Sequence, residues 1–552
     1  MENWTFSDKD DRMEQMHVMG APRIGFTVRA DEPARRRHKM NEKKLNILLS
    51  CAMLLLVLSA ALPLVLIFSG QTVAAAPELA AEQTAPVPLA ALGDADAEMR
   101  GLWIATVNNI NFPSRQGMSA SALAAELDGI VDFAAENGFN AIFFQVRPAA
   151  DALYRSSLFP ASKFVSGKAG EAPDGDFDCL GHLTRAAHEK QIAVHAWVNP
   201  LRVTTGSAAY PQTDRTALPA DSYAATHPDA VVAYADGKLY FNAGLPEIRQ
   251  LVADGVREIC KNYAVDGIIF DDYFYPYPVD GAVFDDDAAY AAYGADCADR
   301  ADFRRDSINK LVRACYDAVK ETDPDIRFGV SPFGIWKNGD GENGGSATRG
   351  LSAYDAIYCD ALAWVEGGYV DYLAPQLYWS FDTASARYDT LCEWWNRALD
   401  ASGVDLYINH GAYRYAEGAM ESGELTRQTE YARDLYAYRG SLYYGYTALR
   451  DNAGGVTDEV KALFSKAISY PDYTDDGSLP TLATVQDGAH VTDASLTLVG
   501  ASNPAYAVSI NGITPYRKKD GSFTLTLSLR DGDNLITVQN GAAKLELIVT
   551  KD

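Results

Sequence analysis

Residues 266–272 read DGIIFDD, a short apolar run closed by two carboxylates. A run with no polar alternation is buried on both faces, as strands of a parallel sheet are. Segments of the same kind recur at 101–107 (GLWIATV), 140–147 (NAIFFQVR), 192–199 (IAVHAWVN), 327–332 (RFGVSP), 370–379 (VDYLAPQLYW), 405–411 (DLYINHG) and 441–448 (SLYYGYTA), making eight in all. Amphipathic segments alternate with them at 119–137, 180–190, 246–262, 302–322, 354–366, 384–400, 426–437 and 457–467. Eight strand–helix units in series predict an α/β fold, a (β/α)8 TIM barrel with long loops over residues 98–470. The competing open doubly wound sheet would carry a glycine-rich phosphate loop after its first strand. VNNINFPSRQG at 107–117 is not one.

In such barrels the reacting groups project from the C-terminal strand ends. That rule selects Arg147 and Asp151 after the second strand; His195, Trp197, Asn199 and Arg202 at the third; and Asp271, Asp272 and Tyr273 at the fourth. It also selects Trp336 beyond the fifth, Gln376, Tyr378, Trp379 and Asp382 at the sixth, Asn409 at the seventh and Tyr444 at the eighth. Carboxylates and amides bond sugar hydroxyls, and flat rings pack on apolar sugar faces. Cleaving a glycosidic bond needs a protonated acid at the leaving oxygen, and usually a second carboxylate. Asp271 and Asp272 are the catalytic candidates. A carboxyl at the end of an apolar strand has its pKa raised by desolvation, which suits an acid. Side chains alternate across a strand, so Asp271 and Tyr273 are expected on the barrel axis and Asp272 beside the loop. Blander roles stay open. The Asp pair can cap a helix or hold a structural cation, Asp151 can pair with Arg147 to shape its loop, and His195 can be a satisfied core histidine.

The chain carries 74 acidic and 48 basic side chains, a formal net charge of −26. Nucleic acid demands a basic footprint, so it is excluded as a partner, and neutral or cationic sugars fit better. The 31 tyrosines and 8 tryptophans suit sugar binding, although most must fill the core. No H-E-x-x-H, P-loop or G-x-S-x-G elbow occurs, and no metal or organic cofactor is implied. None of the seven cysteines is spaced C-x-x-C. Cys260, Cys315, Cys359 and Cys392 fall in predicted helices, where a buried free thiol is the default.

Residues 45–69, LNILLSCAMLLLVLSAALPLVLIFS, are apolar, uncharged and long enough to cross a bilayer. Arg35, Arg36, Arg37, Lys39, Lys43 and Lys44 precede them, and by the positive-inside rule that end stays in the cytoplasm. One reading is a single-pass anchor behind a basic cytoplasmic tail, residues 1–44. The other is a signal peptide, starting from Met40 and cut after Ala76. Both place the barrel outside, beyond a linker at 70–97. Past Leu479 the pattern changes to short alternating strands punctuated by Asn511-Gly512, Asp520-Gly521, Asp531-Gly532 and Asn540-Gly541. This predicts a small immunoglobulin-like β-sandwich over 479–552, a spacer or packing module rather than a polymer binder.

The longest motifs are RGLWIATVNNINFPS (100–114), NAIFFQVRPAADALYRSSLFPASKF (140–164), GLPEIRQLV (244–252), VDGIIFDDYFYPYP (265–278), FGVSPFGIWKN (328–338) and YLAPQLYW (372–379). They resemble the glycosyl-hydrolase-like family ten over about residues 97–465. The resemblance implies a TIM barrel acting outside the cytoplasm on cell-wall glycan, namely peptidoglycan strands stripped of stem peptides, and points to division-site proteins as partners. It carries over Arg147, Asp151, His195, Trp197, Asn199, Asp271, Asp272, Tyr273, Gln376, Tyr378 and Trp379. The seventh strand, INHGAY, offers no carboxylate, which argues against a two-glutamate retaining mechanism. Asp266-Gly267 through Asp271 is loosely similar to the substrate-assisted chitinase type, but Tyr273 stands where those enzymes carry their acid. Asp271 is preferred over Asp272 as the acid. A hydrolase of another surface polysaccharide and a catalytically inactive wall-binding scaffold are the alternatives.

Overall fold

The computed structural model describes residues 98–341, 344–400, 402–466, 468 and 477–552. The segment 45–69, the basic tail and the linker lie outside them. No helix among the described residues is long and apolar enough to cross a membrane.

Eight parallel strands close into a barrel: β1 Met99–Ile104, β2 Ala141–Arg147, β3 Ala193–Val198, β4 Gly267–Phe270, β5 Arg327–Val330, β6 Tyr372–Leu373, β7 Asp405–Gly411 and β8 Tyr438–Tyr444. Neighbours in sequence pair throughout, and β1 closes on β8. The main helices between and after them are α1 Ala120–Glu136, α2 Cys179–Glu189, α3 Pro246–Asn262, α4 Arg300–Thr322, α5 Ala361–Gly367, α6 Tyr388–Leu399, α7 Glu424–Arg433 and α8 Val456–Phe464. Local chemistry starts several of them. Ser119, Asp178 and Asp299 accept backbone N–H groups of the first turns of α1, α2 and α4, satisfying donors that a helix start leaves orphaned. Pro246 opens α3, where its fixed φ suits the first turn and its missing N–H costs no helical bond.

Two layers of apolar side chains hold the barrel. Leu102, Ile142, Phe144, Val194, Ile268 and Leu406 point outward and pack under the helices. Trp103, Phe143, Trp197, Ile269, Tyr372, Tyr407 and Leu442 fill the interior. Large and small residues interlock there. A Cβ on Gly267 would stand 2.2 Å from the His195 Nδ1, so only glycine admits that imidazole.

Three expectations are corrected. The sixth strand is not the ten-residue run 370–379: only Tyr372 and Leu373 ladder with both neighbours. Pro375 has no N–H to offer a ladder, and Gln376 beyond it makes isolated bridges to Phe333 and Asn409. The helix expected at 354–366 is broken in two, with Tyr358 at φ 56° between the pieces. Cys359 therefore lies in a link, not a helix, yet it is buried, and the six cysteines of the described residues are free.

The C-terminal strands are β9 Thr481–Leu482, β10 Ala489–Val491, β11 Ser495–Ala501, β12 Val508–Ile510, β13 Tyr516–Arg517, β14 Ser522–Ser528, β15 Gly532–Asn540 and β16 Ala543–Lys551. They form two four-stranded sheets, β9-β11-β14-β13 and β10-β16-β15-β12. Leu498, Phe523 and Leu525 of one meet Ile510, Ile536, Val538 and Val549 of the other in one core. The sandwich is bolted to the barrel by Arg517. Its fully buried guanidinium pairs with Asp400 just past α6, donates to the Tyr506 carbonyl at 2.7 Å and lies 3.5 Å over the Tyr436 ring.

Candidate active site

The ladder of β4 ends at Phe270, and the chain then turns both following carboxylates into a network at the barrel mouth. Asp271 faces β3. Its Oδ2 accepts the Trp197 indole N–H at 2.9 Å, and its Oδ1 accepts the Asn199 amide at 3.0 Å and the Tyr273 backbone N–H at 3.2 Å. Asp272 faces β6 and the loop after its own strand. It accepts the Gln376 amide at 3.0 Å and the Tyr277 hydroxyl. Neither aspartate belongs to the ladder, and Asp272 stands beside the loop that carries Tyr277 while also reaching Gln376, three residues past β6.

Asp271 is 3% exposed. Burial pushes its carboxyl from the ordinary 3.8 up to about 7; Arg202 opposes the shift, Asp272 adds to it, and the Trp197 and Asn199 donors oppose it. Around the pair stand rings. Tyr378 stacks on Tyr444 at 6.0 Å with Tyr413 edge-on to both. Trp379 meets Phe333, which meets Tyr277, which meets Tyr273. Asn409 is tied in through Ser331: its amide donates to the Ser331 hydroxyl at 3.3 Å and to the Tyr378 hydroxyl at 3.0 Å, while Gln376 donates to the Ser331 carbonyl. The arrangement offers a proton of near-neutral affinity, a second carboxylate one residue away and a wall of aromatic faces.

A family model described as glycosyl hydrolase-like 10 matches residues 98–422. The chain belongs to that family. Glycosyl hydrolase YngK of Bacillus subtilis is 36% identical over 70% of this chain and 75% of its own length. Glycosyl hydrolase DigH of Escherichia coli K12 is 35% identical over 60% of this chain and 76% of its own. Among solved structures, the glycoside hydrolase domain of PgaB (BpsB) from Bordetella bronchiseptica overlays with a TM-score of 0.44 at 14% identity, covering 66% of this chain and 99% of that one. This member of the glycosyl hydrolase-like 10 family is a glycoside hydrolase. The matched residues stop short of α7, β8 and α8, so the strand that closes the barrel lies beyond them.

The structure gathers Trp197, Asn199, Arg202, Asp271, Asp272, Tyr273, Gln376, Tyr378, Trp379, Asn409 and Tyr444 in this glycoside hydrolase, and it sends Arg147, Asp151, His195, Trp336 and Asp382 elsewhere. Arg147 does not line the mouth. A bulge between Gln145 and Arg147 shifts the β2 register, so Arg147 shares the outward side of Val198. Its guanidinium lies fully buried, 3.6 Å over the Phe159 ring, and a Cβ on Gly255 of α3 would come within 3.0 Å of it. Asp151 attracts it electrostatically but spends its own hydrogen bonds elsewhere. Asp151 accepts the Ala149 N–H at 3.0 Å and the Ser162 hydroxyl at 2.5 Å and so shapes the loop after β2. His195 sits inside the barrel, two residues below Trp197, bonded to the Tyr372 hydroxyl at 2.8 Å and stacked on Phe143 at 4.6 Å. Burial pushes it down to about 3, leaving a neutral core histidine. Trp336 stacks on Trp394 and donates to Asp360, away from the pair, and Asp382 is exposed. Tyr277 is the residue sequence reasoning passed over. Its signal was a tyrosine between Pro276 and Pro278, a stiff segment five residues past Asp272.

Proposed function

We propose that this glycoside hydrolase works outside the cytoplasm on cell-wall glycan, cleaving peptidoglycan strands that lack stem peptides, with Asp271 as the general acid. The observation that carries the assignment is the buried Asp271 carboxyl, held by Trp197 and Asn199 and raised to about 7. An ordinary carboxylic acid has lost its proton by neutral pH, whereas this one is half protonated there. In the reaction Asp271 gives its proton to the glycosidic oxygen as the C–O bond breaks, and the electron pair leaves with that oxygen. The positive charge left at the anomeric carbon is met by a second group, Asp272 or the substrate's own N-acetyl oxygen, until water adds. The Gln376 amide and the Tyr277 hydroxyl both donate to Asp272, the company a carboxylate accepts. The substrate class rests on the sequence resemblance, and the outer location on the apolar segment 45–69 with its basic flank. Two aspartates so placed in the network count against an inactive scaffold.

The test is to incubate the full-length protein with purified glycan strands lacking stem peptides and to follow products by mass spectrometry, beside Asp271→Asn and Asp272→Asn. Short amino-sugar oligomers from the wild type, lost with Asp271→Asn, are expected. Strands bound but uncut would make the protein a wall-binding scaffold, and cleavage of neutral polysaccharide alone would move the substrate to another surface polymer.

A further inference from the structure

We infer that Arg202 is the positioning residue of the acid, holding the turn that carries Asn199 against Asp271 and setting the charge that Asp271 faces; this rests on the Asp271 assignment above. Between Trp197 and Arg202 the chain reads WVNPLR, and three of those six residues serve one carboxyl. Trp197 and Asn199 reach it directly. Arg202 acts through Asn199: its backbone N–H donates to Asn199 Oδ1 at 2.9 Å, which turns the Asn199 amide toward Asp271. The side chain then pins the turn to the end of β2, with its Nε donating to the Pro148 carbonyl at 2.9 Å. Asn199 N–H donates to the Arg147 carbonyl one residue earlier, also at 2.9 Å. The end of β2 and the turn after β3 are thus stitched at two adjacent carbonyls, and Arg202 supplies one stitch.

Arg202 is 7% exposed, and its guanidinium lies 5.1 Å over the Tyr273 ring, within cation–π reach. That ring belongs to the residue two past Asp271, so Arg202 grips both flanks of the acid. Among the described residues, the charged and titratable groups facing Asp271 are few. Arg202 comes from the β3 turn, Asp272 from its own strand end, Tyr277 from the loop beyond and Tyr444 from β8. Arg202 is the one cation among them. It pulls the carboxyl down against the burial that raises it. A general acid works best with its proton affinity near the working pH, and Arg202 keeps it there.

The experiment compares wild type, Arg202→Lys and Arg202→Met by two readouts. One is the pH dependence of kcat/KM on denuded glycan strands. The other needs no activity: the pH dependence of the difference in unfolding free energy between each background and the same background carrying Asp271→Asn. Wild type should show a rate midpoint near 7 and a stability difference that slopes downward and levels off near 7. Arg202→Met should move the rate midpoint and that upper break up by about one pH unit or more, while Arg202→Lys keeps both and loses rate with the lost Nε donor and ring contact. If Arg202→Met unfolds, Arg202→Gln, which retains a donor for the Pro148 carbonyl, replaces it. A wild-type midpoint that neither neutral variant moves overturns the inference alone. No midpoint in wild type overturns the acid assignment and this inference with it.

Discussion

Raising the pH across neutrality is the perturbation that bears most directly on Asp271. With its carboxyl at about 7, roughly nine tenths of the molecules hold the proton at pH 6, half at pH 7 and about one tenth at pH 8. Once the acid is required, kcat/KM should be level on the acid side and fall about tenfold per pH unit above 7. The same carboxyl leaves a mark on stability. Going from 3.8 to about 7 is about three powers of ten in proton affinity, or about 4 kcal/mol. The sign follows from the folded state binding this proton more tightly than the unfolded chain does. The contribution is whole below pH 4, shrinks as pH rises, and is gone above pH 7. Initial rates from pH 5 to 9 and urea unfolding from pH 4 to 8 measure both. Asp271→Asn should abolish turnover by a factor of about 10² to 10⁴ and remove that sloping part of the stability curve. A rate profile level from pH 5 to 9, or an Asp271→Asn protein that keeps the wild-type limb, would refute the reasoning.

Other outcomes follow from single contacts. His195, held down at about 3, is lowered relative to the unfolded chain, so its contribution is present above about pH 6.5 and drains away as pH falls toward 3. His195→Phe should therefore lose part of the acid sensitivity seen in unfolding between pH 6 and 4, and an unchanged acid limb would count against it. Tyr277→Phe removes a hydroxyl that donates to Asp272; a hydrogen bond to a carboxylate is worth about 1.5–3 kcal/mol, so kcat/KM should drop by roughly ten- to a hundredfold and thermal melts should show a lowered Tm. Gly267→Ala places a methyl 2.2 Å from the His195 ring and should cost at least about 1–3 kcal/mol, read by urea melts. Arg517→Met strands the buried Asp400 and should cost about 3–5 kcal/mol; a loss under about 1 kcal/mol would show the sandwich to be loosely attached.

The barrel was legible because each strand is a continuous apolar run between amphipathic segments, and helix α3 begins and ends at the residues its periodicity marks. The place of the two aspartates was legible for the same reason, since a strand end in such a barrel faces the mouth. What sequence could not show depends on departures from regularity. Arg147 sits two residues past Gln145, on the inward parity, and only the bulge between them sends it behind the strand. Tyr358 breaks a helix whose periodicity runs straight through it. Tyr277 belongs to no ladder, so no periodic pattern could mark it. Pro375 did announce the shortened β6, because a residue without an N–H cannot extend a ladder.

That short strand has a consequence for how the barrel breathes. β6 is held by two residue pairs on each side, where β7 and β8 share six. Amide exchange by local opening is fastest where the fewest backbone bonds must break together. Bonds outside the ladder lengthen this seam, with Ala374 N–H donating to Val330 and Gln376 N–H to Pro332 on one side and Asn409 N–H to Pro375 on the other, so opening it means releasing the stretch up to Gln376, whose amide steadies Asp272. A substrate chain that binds across the mouth and slows exchange there would be clasping the staves of the barrel together where their regular pairing is shortest.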